Sequence, residues 1–198
     1  MGLKEVQVPV GMRSSYFAPI KKESKGKHPE YDAIVDMGAA VKGYITITSA
    51  SSEIYGDDVA LLRGESFVSA QADVETTLNN LEITSQLFGH TYSAENGEES
   101  KADDVAPIGG YGFIEPLLKS DKSKVYRATF LFKVQPLLNS EKTEADTKKN
   151  DFNPKMNAVS FFIMPDLSGA WRVRKEYATE AEAEAFITTQ FTYTIPAV

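Results

Sequence analysis

A chain of 198 residues with 42% hydrophobic and 25% charged residues has material for one ordinary core and is short for two, and these proportions argue against disorder, collagen-like repeats and membrane proteins. No apolar run approaches the roughly 20 residues needed to span a bilayer as a helix, and the absence of cysteine removes disulfides and thiolate zinc sites. The net charge of −7 disfavours a dedicated nucleic-acid binder, which needs a Lys/Arg surface to replace condensed counterions, yet it suits a surface that DNA passes without adhering.

Met1 to Val10 alternates polar and apolar residues rather than building a signal-peptide core, so synthesis in a reducing cytoplasm without unaided secretion is expected. Glu5 to Val10 predicts a strand with Val6, Val8 and Val10 on one half-buried face. From Arg13 to Glu30 the pattern breaks into a basic, polar stretch that predicts a long loop or arm, with Tyr16, Phe17 and Ile20 to dock it. Val41 to Thr48 returns to strand-like alternation, a turn follows at Gly56-Asp57-Asp58, and Ser66 to Leu78 predicts a long strand.

A short helix is predicted over about Asn80 to Phe88. Asn79 or Asn80 can cap its free N–H groups, Glu82 stands three residues after Asn79 as in a capping box, and Gly89 supplies the left-handed stop. Leu81, Ser85, Leu87 and Phe88 fall on its inner side. Ile108 to Leu118 and Val125 to Leu137 read as a hairpin. Leu138 to Lys155 is a second long polar loop, with Phe152 its one large apolar residue. Met156 to Met164 and Trp171 to Tyr177 are strands joined by a turn over Pro165 to Gly169. Thr179, with Glu182 at the reciprocal position, caps a last helix whose stripe runs through Ala183, Phe186, Ile187 and Gln190. About seven or eight strands and two short helices predict a mainly β fold: one domain over residues 1–198, an antiparallel sandwich or partly open barrel with long loops at about 13–30 and 138–155.

Chemistry is sparse in this pattern. His28 and His90 have no second His or Cys at ligand spacing, so no metal role is expected, and His90 reads as a neighbour of a helix C-cap. Asp57-Asp58 and Asp103-Asp104 are paired carboxylates, but adjacent residues on a strand point to opposite faces, so turns are the better reading. Gly109-Gly110-Tyr111-Gly112 lacks the Lys-Ser or Lys-Thr and the helix of a phosphate loop, and such glycines mark a bulge or close backbone packing. No Gly-x-Ser-x-Gly elbow is present. Neither a catalytic residue nor a cofactor site is expected. What remains is a small sheet with more strand edges than it can cover, and pairing between identical subunits would satisfy them.

One ordered set of motifs resembles a known family. Tyr55-Gly56-Asp57-Asp58, Leu87-Phe88-Gly89-His90, Ala106-Pro107 with Gly110-Tyr111-Gly112-Phe113, Tyr126-Arg127-Ala128 leading to Phe132-Lys133-Val134, then Trp171 and Thr179-Glu180-Ala181-Glu182-Ala183, together covering about three quarters of the chain, resemble the major tail proteins of long-tailed bacteriophages, in particular the phi13-type group. The resemblance implies a tail-tube subunit of the virion, a β-sandwich with a flanking helix that closes into hexameric rings. Those rings would stack around a tape-measure protein, meet tail terminator and distal tail proteins at the two ends, and let DNA through the bore without specific binding. Either Arg13 to Glu30 or Leu138 to Lys155 would then reach the neighbouring ring. Two alternatives stand beside it: a carbohydrate- or host-surface-binding β-sandwich, supported by aromatic content and long loops, and, ranked last, a hydrolase using the Asp pairs.

Overall fold

The computed structural model describes residues 6–56, 59–77, 80–141 and 157–192. In chain order the strands are β1 (Gln7–Pro9), β2 (Arg13–Lys22), β3 (Glu30–Tyr31), β4 (Val35–Asp36), β5 (Ala40–Gly56), β6 (Val59–Thr76), β7 (Thr91–Ser93), β8 (Gly97–Glu99), β9 (Gly109–Lys119), β10 (Lys124–Pro136), β11 (Asn157–Ile163) and β12 (Arg172–Tyr177). Helix α1 (Leu81–Phe88) lies between β6 and β7, a 3-10 turn (Leu138–Ser140) follows β10, and α2 (Glu180–Phe191) follows β12. The fold is mainly β, as expected. Six of the seven longer strands fall where the sequence placed a strand, β2 being the exception, and β3, β4, β7 and β8 are two or three residues each, too short to show any periodicity.

Every strand pairing is antiparallel, and the principal sheet runs β3-β2-β9-β10-β11-β6-β5 without closing into a barrel. β1 and β2 share one edge of β9, opposite Lys119–Leu117 and Ile114–Gly109 respectively. β12 and β11 likewise share the far edge of β10, opposite Tyr126–Leu131 and Val134–Pro136. The central strands β2, β9 and β10 are therefore covered on both faces. On one, Phe17, Tyr111, Phe113 and Leu131 meet Ala70, Ala72, Val74, Val159, Phe161 and Ile163 of the sheet's other half, and Leu87 and Phe88 of α1 join this cluster. On the other face, Ala18, Ile114, Ala128 and Phe130 meet Ala183, Ile187 and Phe191 of α2. Each large apolar side chain fully buried here contributes about 1.5–3 kcal/mol by leaving water.

Local chemistry sets the helix ends where the sequence placed them. Asn80 caps α1 by accepting from the Glu82 N–H at 2.9 Å, and Gly89 ends it with φ 80°. Gly89 also has no room for a side chain, since a Cβ would stand 2.3 Å from the Val105 carbonyl oxygen. Ser85, Leu87 and Phe88 are buried as expected, whereas Leu81 is exposed. In α2 the reciprocal capping box of Thr179 and Glu182 is complete. Its buried residues are Ala183, Ile187 and Phe191, spaced every four, with Phe186 only partly covered.

Two expectations are overturned. Arg13 to Glu30 is not a loop: β2 is ten residues long, with Phe17 and Ala18 fully buried and the Ser15 and Tyr111 hydroxyls 2.7 Å apart in the core. Its lysines lie at the strand's end and in the turn beyond, where Gly26 N–H donates to the Leu167 carbonyl at 2.9 Å. Val6, Val8 and Val10 do not form a half-buried face either; all three are exposed, because β1 is an edge strand beyond the strands on which α2 packs. Of the predicted loop at 138–155, residues 138–140 form the 3-10 turn and 142–155 lie outside the described residues.

Candidate functional site

The longest hairpin supplies the most unusual surface. β5 and β6 pair from Ala40↔Thr76 to Gly56↔Val59, with register shifts at Ala40/Lys42, Thr48/Ser49 and Ile54/Tyr55, and among the described side chains only those of their first half join the core. From Ser49 to Glu53 and from Arg63 to Ser66 every described side chain is exposed, irrespective of its parity along the strand. A strand has two faces, so both faces of this outer ribbon are open. At about 3.3 Å per residue, Ser49–Gly56 extends roughly 25 Å. The outer edge of β5 carries no partner strand among the described residues. Within the ribbon Arg63 lies 3.7 Å from Glu53 and 2.8 Å from Glu65, exposed pairs worth at most about 1 kcal/mol each.

The foot of the ribbon is a built corner. Phe67 stacks on Trp171 at 4.5 Å and 8°, and the Arg172 guanidinium lies 4.2 Å above the Trp171 ring. Burial, then the neighbouring Arg174, holds the Arg172 pKa below the usual arginine value. Nearby, where β5 approaches the Pro9–Met12 segment without bonding to it, a cleft of about 400 Å³ opens with Met12, Ile45 and Phe113 on its apolar side and Arg172 and Arg174 on its polar side. Together with exposed Val6, Val8, Val41, Tyr44, Ile47 and Val68, these surfaces are apolar ground at sheet edges.

The residues weighed for chemistry are dispersed. Asp57-Asp58 lies outside the described residues. Asp103 and Asp104 stand in a turn, where Asp104 N–H donates to the Lys101 carbonyl at 3.1 Å, as the turn reading required. Gly109, Gly110 and Gly112 lie in β9 and mark close packing: a Cβ on Gly112 would stand 2.5 Å from Ile187 Cγ2, so its absence lets α2 sit down on the sheet. His28 stacks on Phe132 at 4.1 Å and reaches the buried Asp166 carboxylate at 2.7 Å. Burial would raise the Asp166 pKa, but hydrogen bonds from Ser168, His28 and the Ala170 N–H outweigh it and hold it below the ordinary range. That carboxylate organises the turn between β11 and β12. His90 follows the α1 cap as expected, its N–H donating to Ser85 O at 3.0 Å, but its ring is buried between Asp104 and Glu141. Burial opposes its positive charge, the two carboxylates outweigh burial, and the net effect raises its pKa.

Sequence reasoning missed the outer ribbon, because Ser49 to Ser52 is a polar run without alternation. The one available signal was the Gly56-Asp57-Asp58 turn flanked by β-permissive residues on both sides. No protein-family model matches the chain, and no curated protein matches it in sequence.

Proposed function

We propose that the chain is a self-assembling structural subunit of a bacteriophage tail tube, whose rings, hexameric as the resemblance implies, stack into a conduit for DNA. The observation that carries this reading is the described part of the outer β5–β6 hairpin, Ser49–Glu53 and Arg63–Ser66, exposed on both faces and without a partner strand along its β5 edge among the described residues. A two-stranded ribbon is at best marginally stable in water, and an open edge offers unpaired N–H and C=O groups to another chain. Contacts with identical neighbours cover it. Heterologous contacts repeated around an axis close a ring, and the same kind of contact along the axis does not close, which gives a tube. The ribbon joins the two segments to which the resemblance gave an inter-subunit role: the sheet has absorbed much of Arg13 to Glu30, and of Leu138 to Lys155 residues 142–155 lie outside the described residues. The net charge of −7 supports a bore through which DNA moves without adhesion. Tape-measure, terminator and distal tail proteins are the further partners this reading implies.

The carbohydrate-binding alternative has one observation in its favour: Tyr44 and Phe162 are exposed on the same outer face of the β5-β6-β11 sheet. The polar groups between them are spent on each other, since Asp73 accepts from Ser160 and from Gln71 at 3.0 Å. Few donors and acceptors are left there for a sugar.

The test replaces Ser51–Glu65 by an Asn-Gly turn, joining the paired residues Ala50 and Ser66. Sedimentation velocity and electron microscopy over a concentration series are expected to show rings or tubes for the full chain and monomers for the shortened one. Urea unfolding of both chains establishes that the shortened one folds. Undiminished assembly of the shortened chain would refute the role of the ribbon.

A further inference from the structure

The surroundings of His90 are built in a way that neither a helix cap nor tube assembly requires. Its side chain is only 4% exposed. Nδ1 lies 2.8 Å from Asp104 Oδ2, and Asp104 is itself fixed by the Lys101 N–H at 2.7 Å. An ionised carboxylate only accepts, so Nδ1 carries the proton and Nε2 of the neutral ring presents its lone pair. That lone pair faces Glu141 Oε2 at 3.3 Å. Glu98, from the β7–β8 hairpin, completes the group: one donor atom from each of His90, Glu98 and Glu141 lies within 4.8 Å of the others. Glu98 Oε1 is buried and has no hydrogen-bond partner among the described residues.

Two carboxylates and an imidazole lone pair converging on one point need positive charge between them. A second proton on the ring answers this poorly. It would bond Glu141 at a length well beyond the roughly 2.7–2.9 Å of a charge-assisted hydrogen bond, and it would leave the buried Glu98 oxygen unsatisfied. A metal ion satisfies all three donors at once. Donor atoms around a tetrahedral zinc stand about 3.3 Å apart, which is the His90–Glu141 separation, and the wider span to Glu98 closes by small side-chain rotations. The imidazole selects a zinc-type ion over calcium or magnesium, which take oxygen ligands.

We propose that His90 Nε2, Glu98 and Glu141 bind a divalent transition-metal ion of the zinc type, with Asp104 as the positioning carboxylate that fixes the tautomer and orientation of the ring. Water fills the fourth position. The ion ties the β7–β8 hairpin and the end of α1 to the residue that follows the 3-10 turn, more than 40 residues further along the chain. Binding of the ion involves no redox or covalent step.

Zn²⁺ titrated calorimetrically into the full-length protein, after chelator treatment and desalting, tests this directly. One saturable site per chain, a Zn²⁺-dependent rise in melting temperature, and a visible Co²⁺ ligand-field band of low coordination number are expected. Glu98→Gln and His90→Gln should each weaken Zn²⁺ binding by at least about tenfold, and Asp104→Asn by about 10–100-fold with the Co²⁺ band retained, as for the outer partner of a ligating histidine. Circular dichroism and metal-free melting establish that the variants fold; Glu98→Gln, which removes charge but hardly any volume, decides if His90→Gln does not. Absence of saturable binding by the folded wild type, or equal binding by Glu98→Gln, overturns the proposal. Neither result bears on tube assembly.

Discussion

Substituting alanine for one glycine should destabilise this protein, and the same substitution at another should not. A Cβ added to Gly112 in β9 would stand 2.5 Å from Ile187 Cγ2 and 3.3 Å from Phe130 Cδ2, both on fully buried side chains. Forcing a methyl group into a packed interior costs about 1–3 kcal/mol. Replacing glycine also narrows the unfolded ensemble, which returns about 0.4–1 kcal/mol where the backbone conformation is permitted. The net for Gly112→Ala is a loss of about 1–2 kcal/mol, and at roughly 2–4 °C per kcal/mol for a chain of this size the melting temperature falls by about 2–8 °C. Gly64, on the outer ribbon, has only Ser52 Oγ within reach of an added Cβ, at 3.5 Å, an ordinary contact. Gly64→Ala should therefore be neutral or gain up to about 1 kcal/mol. A cycle with Ile187→Ala sharpens the comparison. That truncation alone costs about 2–5 kcal/mol, but the added methyl at position 112 then enters the space vacated by Cγ2. The double variant should be more stable than additivity predicts by about 1–2 kcal/mol. Urea unfolding of wild type, the three single variants and the double variant measures these quantities. Additive behaviour, or a Gly112→Ala variant as stable as wild type, would refute the claim that absence of this side chain seats α2.

The remaining predictions concern charge and surface. Asp166, its pKa depressed in the fold, contributes stability that is complete above the unfolded value near 3.8 and is lost as pH falls through the lower folded value. Asp166→Asn should be less stable than wild type by about 1–3 kcal/mol at pH 7; the gap between urea midpoints should narrow as pH falls below 3.8, and a gap independent of pH would contradict the assignment. Replacing Val6, Val8 and Val10 together by threonine should leave the monomer's unfolding free energy within about 0.5 kcal/mol, since all three are exposed. The same triple variant should raise the concentration needed for assembly in sedimentation, and unchanged assembly would remove β1 from the interface.

What could be read from the sequence is what short stretches decide for themselves. The β9–β10 hairpin, both helices and their caps were legible because alternation, Asn80, Gly89 and the Thr179–Glu182 pair act within a few residues. β2 was illegible for a tertiary reason. Its polar and basic composition argues for solvent, yet the edge of β9 needs a partner, and Phe17 and Ala18 between the two core clusters outweigh the lysines at its end. Val6, Val8 and Val10 alternate as a half-buried strand would, but alternation reports which residues share a face, not whether anything covers that face. The His90 cluster had no recognised ligand spacing, since its partners Glu98, Asp104 and Glu141 are 8, 14 and 51 residues away and the last converges only after the sheet and the 3-10 turn have formed.

Burial divides the sheet into two regions with different duties. β2, β9 and β10 are enclosed on both faces, so changes there are read by stability, as the contact of Gly112 with Ile187 illustrates. The described outer side chains of β5 and β6, together with those of β1, contribute few buried atoms, and β5 has no partner on its outer edge among the described residues, so changes there should be read by association instead. A monomer under selection for solubility alone would shorten such a ribbon or place charges and prolines along it. Here the described ribbon side chains are largely serine, with one clustered charge group around Arg63, and β1 and its flanking residues present Val6, Val8 and Val10. Small polar residues on a long ribbon let another backbone approach closely, and exposed valines reward its arrival by about 25 cal/mol for each Å² of apolar surface covered. Retaining both features is consistent with surfaces that spend the protein's working life in contact with other subunits, and the division itself is testable: substitutions in the enclosed strands and in the open ones should separate cleanly between unfolding and sedimentation.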